Sequence, residues 1–121
     1  MITQTRTRHI DPDVTVFEIS GRLSLGNTLM TVETAITRLI EEGARKLVVD
    51  VSNLSAIDSS GIGMLVTVSG HIEQRGGKMR IAGAQGMVAK VLELVHVERL
   101  APIDHDLDSA TRRLAAEGAG A

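Results

Sequence analysis

Apolar and polar positions along this chain alternate between two periods. "VTVFEISG" (14 to 21) is β-branched and aromatic and closes on Gly21, the pattern of a strand. "TRTRHI" before it predicts a partner strand, with Asp11-Pro12-Asp13 as the turn between them. From Gly26 to Glu42 the spacing of Leu29, Val32, Ile36, Leu39 and Ile40 predicts a helix that stops at Gly43. "RKLVVDVS" (45 to 52) is nearly continuous in apolar residues, as in a strand buried on both faces. Ile62, Leu65, Val66, Ser69 and Ile72 then predict a second helix, ended by Gly76-Gly77.

"KMRIAG" (78 to 83) predicts another strand, and Val88, Val91, Leu92 and Val95 a third helix ending near His96. "RLAPI" (99 to 103) fits a short edge strand, since Pro102 cannot donate to a central ladder. Leu107, Ala110 and Leu114 predict a last helix, with Asp106 and Asp108 near its positive end. "AAEGAGA" follows, so a disordered tail is expected from about residue 116 to 121. Strands alternating with helices predict one α/β domain over residues 1–121. Its expected architecture is a mixed sheet of four to five strands with about four helices packed on it.

Composition narrows the function. Phe17 is the only aromatic residue in 121, which excludes an aromatic stacking platform for single-stranded nucleic acid. Thirteen basic and fifteen acidic side chains give a net charge of −2. Arg45-Lys46 and Arg112-Arg113 are isolated pairs, so neither direct nucleic-acid binding nor an anionic membrane is expected. No cysteine is present, which removes disulfides and thiol catalysis. "MITQTRTRHIDPD" lacks an apolar signal core and no run approaches a membrane span, so a cytoplasmic location is expected.

Catalytic constellations do not assemble. His9, His71, His96 and His105 show no HxxxH or HExxH spacing, and Asp104-His105-Asp106 suits a solvated loop better than a metal site. Neither Ser59 nor Ser60 has the G-x-S-x-G context of a hydrolase elbow. "RGGKMR" lacks the leading Gly and following hydroxyl of a phosphate-binding loop, and "GAQG" is too short for a dinucleotide fingerprint. Glu41-Glu42 suits a solvated helix end. The chain is expected to be neither an enzyme nor the holder of a cofactor or metal.

"AIDSSGIGML" (56 to 65) is the stretch that chemistry can use. Asp58 is the only charged side chain between Val51 and Ile72. Asp58, Ser59 and Ser60 stand where a strand gives way to a helix, and all three types cap helix starts by accepting orphan N–H bonds. No Glu or Gln follows to complete a capping box, since Ile62 and Gly63 hold those places. Gly61 and Gly63 each cost helix stability, of order 1 kcal/mol relative to Ala. Either they allow close packing on the sheet, or they leave backbone bare for another protein. A phosphoryl group here would add about −1.5 to −2 charges to a neutral surface. The protein's own helix start tolerates that charge, whereas a partner packed over it would not.

The residues also carry a resemblance. "FEISGRL" (17 to 23), "KLVVDVSNLSAIDSSGIGML" (46 to 65) and "RGGKMRIAGAQGMVAKVLELVHV" (75 to 97) resemble the STAS domains, and among them the single-domain anti-sigma-factor antagonists of bacteria. The resemblance implies that Ser59 is the phosphoacceptor. It also implies that Ser24, Asp58, Ser60, Gly61, Ile62 and Gly63 meet the partner. That partner would be an anti-sigma factor that is itself a serine protein kinase, with a PP2C-like serine phosphatase resetting the switch. One departure is Ser24, where many relatives carry Asp; if that carboxylate presents the serine, phosphorylation here is slower or its partner different. The alternative expectation is a non-phosphorylated STAS subunit of a lipid-transport or stress-sensing complex.

Overall fold

The computed structural model describes residues 3–10 and 12–119. Strand β1 (Gln4–Ile10) and strand β2 (Val14–Leu23) pair antiparallel, from Ile10 opposite Val14 to Gln4 opposite Ser20. Pro12 and Asp13 turn the chain between them, while Asp11 lies outside the described residues. Helix α1 (Asn27–Glu41), strand β3 (Lys46–Ile57), helix α2 (Ser59–Gln74), strand β4 (Lys78–Ala82) and helix α3 (Gly86–Leu94) follow. A 3-10 turn (Val97–Arg99), strand β5 (Ile103–Asp104) and helix α4 (Leu107–Ala119) complete the order.

The sheet runs β1-β2-β3-β4-β5, antiparallel at β1 and parallel through the other pairs. Each crossover steps the same way along the sheet. With right-handed connections, α1, α2 and α3 must therefore share one face. Their buried residues, including Ile36, Leu65 and Leu92, form one core with Phe17, Val49 and Ile81. Helix α4 covers the opposite face, where Ala110 and Leu114 pack with Val14, Val16, Val48 and Ala82. Burial on both faces explains why the β3 sequence "KLVVDV" carries so little alternation.

Four boundaries differ from the sequence expectation. Strand β2 continues past Gly21 to Leu23, because Gly21 takes a φ of +91° that bends the strand without ending it. Strand β3 continues to Ile57 through two bulges, where pairing slips from Glu18–Asp50 to Ser20–Asn53 and from Gly21–Leu54 to Arg22–Ala56. Side chains close both bulges. The Asp50 carboxylate accepts from the Ser52 N–H at 2.9 Å and its hydroxyl at 2.6 Å, and the Ser55 hydroxyl donates to the Gly21 carbonyl at 2.8 Å. A bulge near a site re-aims the chain, and these two aim the end of β3 at the end of β2.

At the far edge, β5 holds only Ile103 and Asp104, because Val97–Arg99 winds into the 3-10 turn. Asp104 is not solvated, contrary to expectation: it is 6% exposed and meets the guanidinium of Arg80, with Nε–Oδ2 at 2.5 Å. A cation on the neighbouring strand makes that burial possible, and periodicity gives no sign of it. Helix α4 is assigned through Ala119, into the stretch expected as a tail, and Gly120 and Ala121 lie outside the described residues.

Candidate functional site

The ends of β2 and β3 meet at the start of α2. The Asp58 N–H donates to the Leu23 carbonyl at 3.2 Å, which sets Asp58 in extended conformation as the N-cap of the helix. Its carboxylate then divides. Oδ1 accepts from the Gly61 N–H at 2.9 Å and so satisfies one of the helix's orphan donors. Oδ2 accepts from the Leu25 N–H at 3.0 Å and ties down the loop between β2 and α1. These bonds, the one from Leu25 first, hold the Asp58 carboxyl below its ordinary pKa against the opposing effect of burial.

Ser59 is the first residue of α2 and its side chain is exposed, whereas Ser60 beside it is half-buried. Ser24 is also half-buried, in the loop between the two residues that Asp58 holds. Ile62 is half-buried and packs against the core. The seven residues singled out from the sequence therefore come together at one corner, where two strand ends and one helix start converge.

The two glycines differ in what surrounds them. A methyl group on Gly61 would overlap the Leu23 carbonyl oxygen and press on the Ile57 side chain. Its bareness lets α2 begin directly against the end of β2. Around Gly63 a methyl group would meet nothing within 4 Å, and the residue is exposed. Gly63 lies one helical turn beyond Ser59, on the same face. Close packing accounts for the first glycine and not for the second.

Leu25 went unread in the sequence. Its side chain is 79% exposed, beside the carboxylate that holds its backbone. The available clue was a leucine between Ser24 and Gly26, at the tip of an otherwise small and polar loop. Among the described residues no group of His, Asp and Glu stands ready to hold a metal ion, and no helix is long and apolar enough to cross a membrane.

This corner offers an exposed hydroxyl on a helix start, with one carboxylate, Asp58, tied to two backbone N–H groups, on a mixed sheet with helices on both faces. A family model for the STAS domain matches residues 5–110, and the chain belongs to that family. An anti-sigma-B factor antagonist of Staphylococcus aureus is 24% identical over 83 residues, which cover 69% of this chain and 76% of the relative. The crystal structure of an anti-sigma factor antagonist from Mycobacterium paratuberculosis superposes with a TM-score of 0.82 at 22% identity, covering 94% of this chain and 95% of that one. The Bacillus cell fate determinant SpoIIAA, solved in its phosphorylated form, superposes with a TM-score of 0.69 at 17% identity, covering 90% and 98%.

Proposed function

We propose that this protein is an anti-sigma-factor antagonist of the cytoplasm, switched at Ser59. In the unphosphorylated state it binds an anti-sigma factor that is also a serine protein kinase, and a sigma factor is thereby released. The kinase transfers the γ-phosphoryl group of ATP to the Ser59 Oγ; the hydroxyl gives up its proton and ADP leaves. A PP2C-like serine phosphatase hydrolyses the phosphoserine and restores the binding form.

The observation that carries this reading is the setting of Ser59. It is exposed at the first position of α2, and the one carboxylate beside it, Asp58, is already engaged by two backbone N–H groups. A partner can cover this corner without trapping an unpaired charge. Phosphorylation then places about −1.5 to −2 charges under the partner. An unpaired buried charge is among the costliest features an interface can have. The fold itself loses little, because the N–H groups of a helix start favour an anion.

The test is incubation with the anti-sigma-factor kinases of the same organism and MgATP, followed by phosphosite mapping. Ser59 is expected to carry the phosphate, Ser59→Ala to bind the kinase constitutively, and Ser59→Asp to bind poorly. Wild-type affinity in Ser59→Asp would remove the charge switch. With Ser59 also unmodified, it would favour a non-phosphorylated subunit of a lipid-transport or stress-sensing complex.

A further inference from the structure

Leu25, Met30 and Met87 are large apolar side chains left in solvent, 79%, 69% and 67% exposed. Each lies just beyond the carboxyl end of a parallel strand. Leu25 is in the loop after β2, Met30 in the first turn of α1, and Met87 in the first turn of α3. Ser59 follows β3, and β3 lies between β2 and β4 in the sheet. In strand order Leu25 and Met87 thus fall on either side of Ser59. Leu25 is level with it, since Leu23 pairs with Ile57, and Met87 is set back, since β4 leaves β3 at Ala82 opposite Asp50. The seven residues by which β3 runs on past Asp50 to Ile57 set the two strand ends at most about 23 Å apart. The footprint of about 800 Å² per partner of an ordinary protein interface can span that distance.

Charge is missing from these same segments. No Asp, Glu, Lys or Arg occurs from Leu23 to Val32 or from Ile81 to Ala89, and Asp58 is alone between Val51 and Ile72. The other exposed large apolar side chains among the described residues are Leu94, Val95 and Leu100, at and beyond the far end of α3. There they are interleaved with Glu93, His96, Glu98 and Arg99, as on an ordinary solvated surface. Among the described residues, exposed large apolar side chains lie in stretches free of charge only here, and the charges nearest in sequence, Arg22, Glu33 and Lys90, stand at the ends of those stretches.

We infer that Leu25 and Met87 are two anchors by which the kinase partner grips this protein, one on each side of the serine it modifies. The inference rests on the reading of Ser59 as the switch and adds the partner's chemistry: an uncharged face with apolar pockets. A neutral edge suits such a face, since covering it leaves no charge unpaired on either side. The Leu25 backbone is pre-set by Asp58, so docking its side chain orders little new chain. Met87 is unbranched and polarizable, and moulds itself to an imperfect pocket.

The experiment measures the affinity of each purified anti-sigma-factor serine kinase of the organism for the full chain and its variants. Leu25→Glu and Met87→Glu are each expected to weaken binding about tenfold or more, with Leu25→Ala and Met87→Ala showing smaller losses. Leu94→Glu and Leu100→Glu, at the far end, should stay within about twofold. Unchanged circular dichroism checks that the exposed substitutions leave the fold intact. Binding within about twofold for both Leu25→Glu and Met87→Glu overturns the inference. So does sedimentation showing that these variants only dissociate a self-assembled form while kinase affinity holds.

Phosphosite mapping on the wild type separates the two readings. A modified Ser59 with insensitive Leu25 and Met87 removes the anchors and keeps the switch. An unmodified Ser59 with sensitive Leu25 and Met87 removes the switch and keeps the edge as the kinase's docking site. Failure of every kinase to bind the wild type removes both.

Discussion

The carboxylate of Asp58 reaches across 33 positions of sequence to hold the backbone N–H of Leu25 at 3.0 Å. One side chain thus caps the helix that displays Ser59 and fixes the loop beside it. Asp58→Ala removes both bonds at once. The expected result is a lower urea midpoint together with faster hydrogen exchange at the Leu25 amide. Asp58→Asn retains a carbonyl acceptor and should fall between the two. Unchanged exchange at Leu25 in Asp58→Ala would show that the loop is held by something else.

This carboxylate also ties stability to pH. Its hydrogen bonds from Leu25 and Gly61 lower its folded-state pKa, so folding favours the ionised form. The stabilisation is complete at neutral pH and disappears as pH falls below the ordinary aspartate range, about 3.9, through the lower folded value. The stability gap between wild type and Asp58→Asn should therefore narrow on acidification in unfolding curves taken from pH 7 to pH 2. Asp106, held low chiefly by the Ser109 N–H, contributes a second loss in the same direction. The double variant with Asp106→Asn should have the flattest profile.

Gly61→Ala and Gly63→Ala are expected to move stability in opposite directions. The first drives a methyl group into the Leu23 carbonyl and should cost about 1–3 kcal/mol, as overpacking does. The second meets open space and should gain up to about 1 kcal/mol from helix propensity. Urea unfolding of the two variants measures both. A destabilised Gly63→Ala would contradict the open surroundings of that residue.

The opposite face of the sheet gives a control remote from Ser59. Asp104 is buried between Arg80 on β4 and Arg113 on α4, with Arg113 Nε at 3.2 Å from Oδ1. Asp104→Ala takes the carboxylate from a guanidinium that is itself buried and should cost about 3 kcal/mol or more. The Arg113 side chain is 66% exposed, and Arg113→Ala should cost about 1 kcal/mol at most. Equal losses in thermal unfolding would mean that α4, and not the buried pair, carries the effect.

Much of this fold was legible in the sequence because its helices and central strands have clean periods. Leu29, Val32 and Ile36 face the core as their spacing predicts, and the continuous apolar run of β3 lies inside the sheet. Boundaries set by side-chain bonds were not legible. Nothing in "VSNLSAI" announces that Asp50 and Ser55 close bulges and carry β3 on to Ile57. Asp104 was misread because its partner, Arg80, is distant in sequence. At the corner around Ser59 the residues were identifiable as a group, while the split between Gly61 and Gly63 depends on Leu23, which only folding brings near.

The strand order β1-β2-β3-β4-β5 has a consequence for what can bind here. Open parallel sheets form their small-molecule crevices where strand order reverses and successive crossovers part to opposite faces. Here α1, α2 and α3 all leave to one face and α4, after β5, to the other. Helices therefore part between the ends of β4 and β5, where Ala84, Ala89, Ile103, Asp104 and His105 line a cavity of about 320 Å³. Ser59 follows β3, where α1 and α2 leave to the same face and the topology opens no such crevice. That part of the edge favours the broad footprint of another macromolecule over a metabolite.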